Sequence, residues 1–287
     1  MLPRKLTVIF LTALAIAGCA AVAPNLPAIT DAPTGTRDSG RIVWHDLLTN
    51  TPEESKAFYS ELFGWEFERP TMISSGAYYL IRHNGILIGG MVDANRLDRG
   101  DISQWVTVVS VDDIEAAVLR LEREGGEVLT RPTDVGSRGT LAVVTGSDGA
   151  LFAMVQTRDG DPYEAEPETN GWLWNELWTD DVEASTRFYT SVFGLMADDR
   201  RVGEADYRLL QAGDAPRAGI LAHPFEGRRP VWVNYIRVED PTAITSRVES
   251  LGGQVLLDTE ARDIGGEVAL IAGPSGAGVA LQTWPLD

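Results

Sequence analysis

The sequence is short of cysteine and histidine: Cys19 stands alone, and His45, His83 and His223 are the only three histidines in 287 residues. A single cysteine excludes any intrachain disulfide. The three histidines share no common spacing and do not by themselves make a metal site. Positive charge is scarce as well, with 24 Lys and Arg against 42 Asp and Glu and a formal net charge of -18. A surface of that sign repels phosphate backbones, so no nucleic-acid partner is expected, nor a basic patch holding the body to anionic lipid. No P-loop, no G-x-G-x-x-G after a strand and no G-x-S-x-G elbow occurs, so nothing marks a nucleotide cofactor or a serine nucleophile. Long apolar runs are missing except for Leu6 to Ala17, which is too short to span a bilayer comfortably.

That one run lies behind Arg4 and Lys5 and ends in Ile16-Ala17-Gly18-Cys19, the layout of a secretory signal. Its end resembles the lipobox of bacterial lipoproteins. The resemblance implies that residues 1–19 form a lipoprotein signal peptide and that the Cys19 thiol is acylated. It also implies a location in the cell envelope, with the lipid anchor as the sole membrane contact. Ala20, where inner-membrane lipoproteins often carry Asp, favours the outer membrane facing the periplasm. An ordinary signal peptide or an uncleaved anchor, with Cys19 incidental, is the other reading. Residues 20–40, rich in Pro, Ala, Thr and Gly with no apolar period, are expected to be a flexible tether.

Beyond the tether the chain repeats itself. Trp44-His45-Asp46-Leu47-Leu48-Thr49 is echoed by Trp174-Asn175-Glu176-Leu177-Trp178-Thr179, and Ser55-Lys56-Ala57-Phe58-Tyr59 by Ser185-Thr186-Arg187-Phe188-Tyr189. Phe63-Gly64 returns as Phe193-Gly194, Trp105-Val106 as Trp232-Val233, and Gly125-Gly126 as Gly252-Gly253. Order and spacing preserved over so many positions mean tandem domains. The expected boundaries are 41–158 and 170–287, with an acidic, proline-containing linker at 159–169.

Each half divides again into two βαβββ-like units. In the first, the run Ile42 to Leu48 reads as a strand. A helix capped by Asn50 or Thr51 follows, opens with Pro52, closes at Gly64, and turns Ala57, Phe58, Glu61 and Leu62 inward. Short strands are expected at Trp65–Glu68, Tyr78–Ile81 and Ile86–Val92. The second unit runs from a strand at Gln104–Val111, through a helix at Asp113–Glu124 with Ile114, Ala117, Val118 and Leu121 on one face, to three more strands ending near Gln156. Asp112 and Glu239 are expected to begin helices, where a carboxylate meets free amides.

The ordered set of strand, S-x-x-F-Y helix, F-G, V-x-D helix, G-G and D-G-x-strand, present twice, resembles the vicinal oxygen chelate superfamily, which includes glyoxalase I, bleomycin resistance proteins and extradiol dioxygenases. The resemblance implies an α+β fold: two tandem glyoxalase-like domains, each a curved mixed sheet forming a cup, with helices outside. It also implies where a divalent ion would sit. The family's ligand positions fall on Trp44, Val106 and Ala153 in the first half, and on Trp174, Val233 and Ala280 in the second. Indole, isopropyl and methyl groups offer no donor. No metal or other cofactor is therefore expected in either cup.

Strand alternation selects what lines the cups instead. It turns Trp44, Asp46 and Leu48 inward, matched by Trp174, Glu176 and Trp178; the fifth strands add Gln104, Val106, Val108 and Ser110, matched by Val231, Val233, Tyr235 and Arg237. Trp105 and Trp232 face the helices, and so does His45, whose counterpart is Asn175. The candidate ligand-binding set is Trp44, Trp174, Trp178, Tyr79, Tyr207, Gln104, Tyr235 and Arg237. The flat indoles either fill the space of the absent ion or stack on an aromatic or heterocyclic ligand. Asp46 and Glu176, each beside a tryptophan, are the candidate catalytic carboxylates, as general bases; the bland reading has them bonded to backbone or Arg groups at the mouth.

The leading expectation is an envelope lipoprotein that binds a small molecule in metal-free cups. The alternative is a metal-dependent glyoxalase, lyase or dioxygenase with unusual ligands, Asp46 or Glu176 among them. A third reading makes the acidic body a partner-binding lipoprotein. The tandem arrangement is compatible with a monomer, since two domains can satisfy internally a pairing that single-domain relatives make as dimers.

Overall fold

The computed structural model describes residues 25–71, 78–96, 103–202, 205–225, 227–262 and 265–284. Cys19 and the signal segment lie outside the described residues. The first half runs β1 (Ile42–Thr49), α1 (Pro52–Phe63), β2 (Glu66–Glu68), β3 (Tyr78–His83), β4 (Ile86–Asp93), then β5 (Gln104–Ser110), α2 (Ile114–Arg123), β6 (Glu127–Asp134), β7 (Gly139–Thr145) and β8 (Leu151–Thr157). The second repeats it with β9 (Trp172–Thr179), α3 (Val182–Phe193), β10 (Met196–Val202), β11 (Ala205–Ala212) and β12 (Ala215–Ala222), followed by β13 (Val231–Arg237), α4 (Pro241–Val248), β14 (Gln254–Ala261), β15 (Glu267–Ala272) and β16 (Gly278–Gln282).

Each half closes its own mixed eight-stranded sheet, in the order β2-β3-β4-β1-β5-β8-β7-β6 and β10-β11-β12-β9-β13-β16-β15-β14. The seam between the two units of a half is antiparallel, β1 on β5 and β9 on β13. Each cup is therefore built within one half, not by strands exchanged between halves.

Local chemistry explains the helix limits. Pro52 opens α1, and Gly64 closes it at φ 71°, a left-handed conformation that glycine adopts without strain. The Thr51 side chain makes no capping bond; Thr49 Oγ1 instead accepts from the Thr51 amide at 3.1 Å. In the other helices the caps are Asp113, Asp181 and Asp240, each accepting an amide of the first turn at 2.9 to 3.0 Å. The acids that begin α2 and α4 are thus one residue later than the expected Asp112 and Glu239. The buried face of α2 is Ile114, Ala117, Val118 and Leu121. In α1, by contrast, Ala57 and Glu61 face water, while Ser55, Phe58, Tyr59, Leu62 and Phe63 are buried. This inner face is wider because α1 packs on a second domain as well as on its own sheet.

The two halves join through their helical sides. α2 and α3 pack on one another in a core that mixes Val118, Leu121 and Phe152 with Phe188, Val192 and Trp232. A second core mixes Phe58, Tyr59, Trp65 and Trp105 of the first half with Ile236, Val248, Ile271 and Leu281 of the second. Along the central strands, His45 Nε2 lies 2.8 Å from Asn175 Oδ1, and Thr107 Oγ1 donates to Asn234 Oδ1 at 2.8 Å. The cups face away from this seam.

Residues 25–40 do not behave as a loose tether. Leu26 donates its amide to the Val135 carbonyl at 2.7 Å, Gly35 donates to Asp159 at 3.1 Å, and Ile29 is buried. Further along, Asp38 pairs with Arg217 of β12, which also binds Glu164 of the linker at 3.1 Å.

Candidate functional site: two cups with carboxylates held by arginine and tyrosine

Alternation on β1 sends Trp44 and Leu48 into one apolar cluster with Val106, Val108, Ala153 and Val155, and Leu47 into the helix-side core. Asp46 lies on the cup side. Its Oδ1 accepts from Trp44 Nε1 at 3.0 Å and from the Tyr78 hydroxyl at 2.7 Å. Arg138 Nη1 lies 3.3 Å from Asp46 Oδ2, and its Nη2 donates to Tyr78 Oη at 2.7 Å. The Arg138 side chain is fully buried, with its guanidinium 5.0 Å from the Trp44 ring centroid and 5.2 Å from that of Tyr78. A permanent cation so placed needs the Asp46 carboxylate to offset its desolvation.

The second cup repeats the design with a longer acid. Glu176 is 1% exposed and accepts from Tyr207 at 3.1 Å, from Trp178 Nε1 at 3.3 Å and from Tyr235. Arg262 approaches Glu176 Oε1 at 3.7 Å and also binds Gln282. Trp174 Nε1 donates to the Tyr207 hydroxyl at 2.9 Å. Burial, reinforced by the Glu176 charge, pushes the Tyr207 and Tyr235 phenols well above their ordinary range, so both stay protonated donors. At the rim, His223 lies edge-on to Trp178 at 5.6 Å, with Phe225 6.3 Å from the same indole. Burial holds the His223 imidazole below its usual range.

One glycine in each sheet makes these networks reachable. Gly90 pairs in register with Asp46, and Gly219 with Glu176. A Cβ on Gly90 would collide with the Tyr78 hydroxyl and Asp46 Oδ1, and one on Gly219 with the Tyr207 hydroxyl. The bare backbone lets each phenol lie across the neighbouring strand to its carboxylate.

The structure gathers most of the expected residues. Trp44 and Asp46 meet in the first cup; Trp174, Glu176, Trp178, Tyr207 and Tyr235 meet in the second. Gln104 sits half-buried on β5, opposite Leu48 in register. Tyr79 is a correction. It belongs to the helix-side core with Met91, where its hydroxyl accepts from Arg69 at 2.6 Å, and the register makes Tyr78 the partner of Tyr207. Arg237 is a second correction. The β9–β13 register slips between Tyr235 and Ile236, and beyond the slip Arg237 donates to the Pro167 carbonyl at 2.6 Å, bracing the linker. Trp105 and Trp232 do face the helices, Trp105 donating to Tyr59 at 2.9 Å and Trp232 edge-on to Tyr189.

Arg138, Arg262, Tyr78 and Gln282 were missed. Both arginines come from the segment joining the sixth and seventh strands of their half, but at unequal distances from the Gly-Gly pair. Aligning the repeats therefore hides their equivalence.

Among the described residues, neither cup offers a metal a fitting donor set. Trp44, Val106 and Ala153 share the floor of the first, and Trp174, Val233 and Ala280 that of the second. The carboxylate nearest each floor is already engaged by arginine, tyrosine and indole donors. Among the described residues no group of three or more His, Cys, Asp or Glu side chains converges.

Comparison with known proteins agrees with this architecture. The family model of the Glyoxalase/Bleomycin resistance protein/Dioxygenase superfamily matches residues 41–154 and 173–281. The chain is 30% identical over 237 residues to "Putative glyoxylase CFP32" of Mycobacterium tuberculosis, covering 82% of this chain and 91% of that one. It is also 30% identical over 259 residues to the anthracycline biosynthesis protein DnrV of Streptomyces peucetius, covering 84% and 92%. Among solved structures, the Mn(II)-bound glyoxalase of Novosphingobium aromaticivorans superposes with a TM-score of 0.60 at 16% identity, covering 86% of this chain and 83% of that one. The 2,2',3-trihydroxybiphenyl 1,2-dioxygenase of Sphingomonas wittichii gives 0.59 at 16% identity, covering 86% and 91%. At such identities these structures speak for the fold alone. With both halves matched by the family model and relatives aligned over most of their length, the chain belongs to the Glyoxalase/Bleomycin resistance protein/Dioxygenase superfamily.

Proposed function

We propose that the protein binds a small, flat aromatic molecule in its second cup without a metal ion. The observation that carries this reading is the half-buried Trp174 indole, held by its bond to the Tyr207 hydroxyl and packed against the cluster of Val233 and Ala280. An indole fixed in this way is a stacking wall that loses little side-chain freedom when a ligand arrives. Arg262, whose side chain keeps some exposure, supplies a polar contact at one end, and Trp178 and Phe225 add apolar rim. The kinship with DnrV, named for anthracycline biosynthesis, supports a polycyclic aromatic ligand class.

Glu176 already accepts from two phenols and an indole. Its acceptor sites are thus largely filled, which supports a binding role over that of a free general base or metal ligand. We place the protein, as an extension of the same proposal, on the envelope through a lipidated Cys19. Asn25, where the described chain begins, follows Cys19 by six residues, a reach of about 20 Å, so the body would sit close to the bilayer.

The test is titration of the full chain with quinizarin, a flat dihydroxyanthraquinone, followed by tryptophan fluorescence with and without EDTA. We expect saturable binding unchanged by EDTA, weakened at least tenfold in Trp174→Ala and little changed in Tyr79→Phe. Binding abolished by EDTA, or indifferent to Trp174→Ala, contradicts the proposal.

A further inference from the structure

The two cups are built alike but are not equally open. In the second, among the described residues, every member of the apolar cluster comes from residues 173–280. In the first, the corresponding cluster also contains Leu26 and Ile29, from ahead of the domain. Ile29 is 2% exposed among Trp44, Leu48, Tyr78 and Val106. Trp44 itself is 1% exposed, whereas its counterpart Trp174 is only half-buried.

Polar contacts fasten the segment at both ends. The Leu26 amide donates to the Val135 carbonyl at 2.7 Å, and the Arg138 amide donates to the Leu26 carbonyl at 3.1 Å. Arg138 Nε donates to the Pro27 carbonyl at 3.2 Å, so the arginine that holds Asp46 also grips the strap. Asp31 pairs with Arg82 of β3 at 2.7 Å, and Pro33 bridges to Pro162 of the linker. The Asp46 side chain keeps 14% exposure, so the strap covers the tryptophan wall more than the acid.

We infer that residues 25–33 are an intramolecular occupant of the first cup. Ile29 is buried in the same apolar cluster as Trp44, the wall on which a ligand would stack. The first cup is thereby closed to ligand in the resting protein, and one binding site per chain remains, in the second cup. This consequence for stoichiometry rests on the ligand reading above; closure of the first cup does not.

The experiment is amide hydrogen–deuterium exchange on the full chain, with residue or short-peptide resolution at 25–33 and 135–138. Closure predicts that the Leu26 and Arg138 amides exchange at least a hundredfold more slowly than an unstructured chain. It also predicts that Ile29→Ala, which removes the plug and adds no charge, speeds both by tenfold or more while β9 amides stay unchanged. Unprotected amides at Leu26 and Arg138 in the wild type, or no response to Ile29→Ala, overturn it. Quinizarin stoichiometry on the same samples separates the two proposals. One site rising to two in Ile29→Ala supports both, and two sites in the wild type overturn closure. No binding with protected amides sinks the ligand reading and leaves closure standing.

Discussion

Asp46 and Arg138 show how one pair of side chains couples stability to the site. The arginine side chain is wholly buried, and its charge is met by Asp46 and the Tyr78 hydroxyl. Removing one partner of a buried pair costs more than removing both, because the survivor keeps its desolvation penalty without compensation. Asp46→Ala is therefore expected to destabilise by about 3–5 kcal/mol. The double variant Asp46→Leu with Arg138→Met should cost clearly less, and urea denaturation of the three proteins checks the order. Alternation and the repeat made Asp46 and Glu176 legible from sequence, since both depend only on neighbours along one strand. The arginines that meet them were not legible: Arg138 reaches Asp46 across 92 residues of chain. Choosing Tyr79 over Tyr78 has a similar origin. Adjacent tyrosines on a strand face opposite sides, and only the pairing with β4 settles which one faces the cup.

At the scale of elements, the glycines opposite the carboxylates matter more than their size suggests. Gly219→Ala places a methyl group on the Tyr207 hydroxyl, so the phenol must leave Glu176 or the strands must part. Overpacking of this kind costs about 1–3 kcal/mol. We expect Gly219→Ala to lower stability by that amount and to weaken quinizarin binding, through the lost Tyr207–Trp174 bond. Asp181→Ala, which removes the cap of α3, should cost about 1 kcal/mol and leave binding alone. Thermal denaturation and the same titration distinguish the two. The buried stripe of α2 was readable because the helix presents a narrow face. The wider inner face of α1 was legible only in part: Phe58-Tyr59 reads as core, but Phe63 meets Trp65 and a core shared with the other half, a surface that periodicity within one helix does not announce.

For the whole molecule, the two halves share cores and a buried polar seam, so they are expected to unfold as one cooperative unit. His45 lies in that seam against Asn175, and burial lowers its pKa from 6.5 to about 4. Being depressed in the folded state, this histidine contributes stability fully above pH 6.5 and loses it as pH falls towards 4, where only the unfolded chain has taken up the proton. The loss amounts to about 3 kcal/mol. His45→Asn should flatten the decline in stability between pH 6.5 and 4.5, as measured by denaturant midpoints; an unchanged slope contradicts the assignment. The tandem fold was legible in the order of the repeats. The strap in the first cup was not, because its proline- and alanine-rich composition looks the same packed or free. The most direct test of a metal-free cup is elemental analysis of the full chain, purified without chelator from cells supplied with Mn, Fe, Ni and Zn. We expect well under a tenth of an equivalent of any of these metals in a folded sample. Close to one equivalent per cup, lost in Glu176→Ala or Asp46→Ala, would contradict the account.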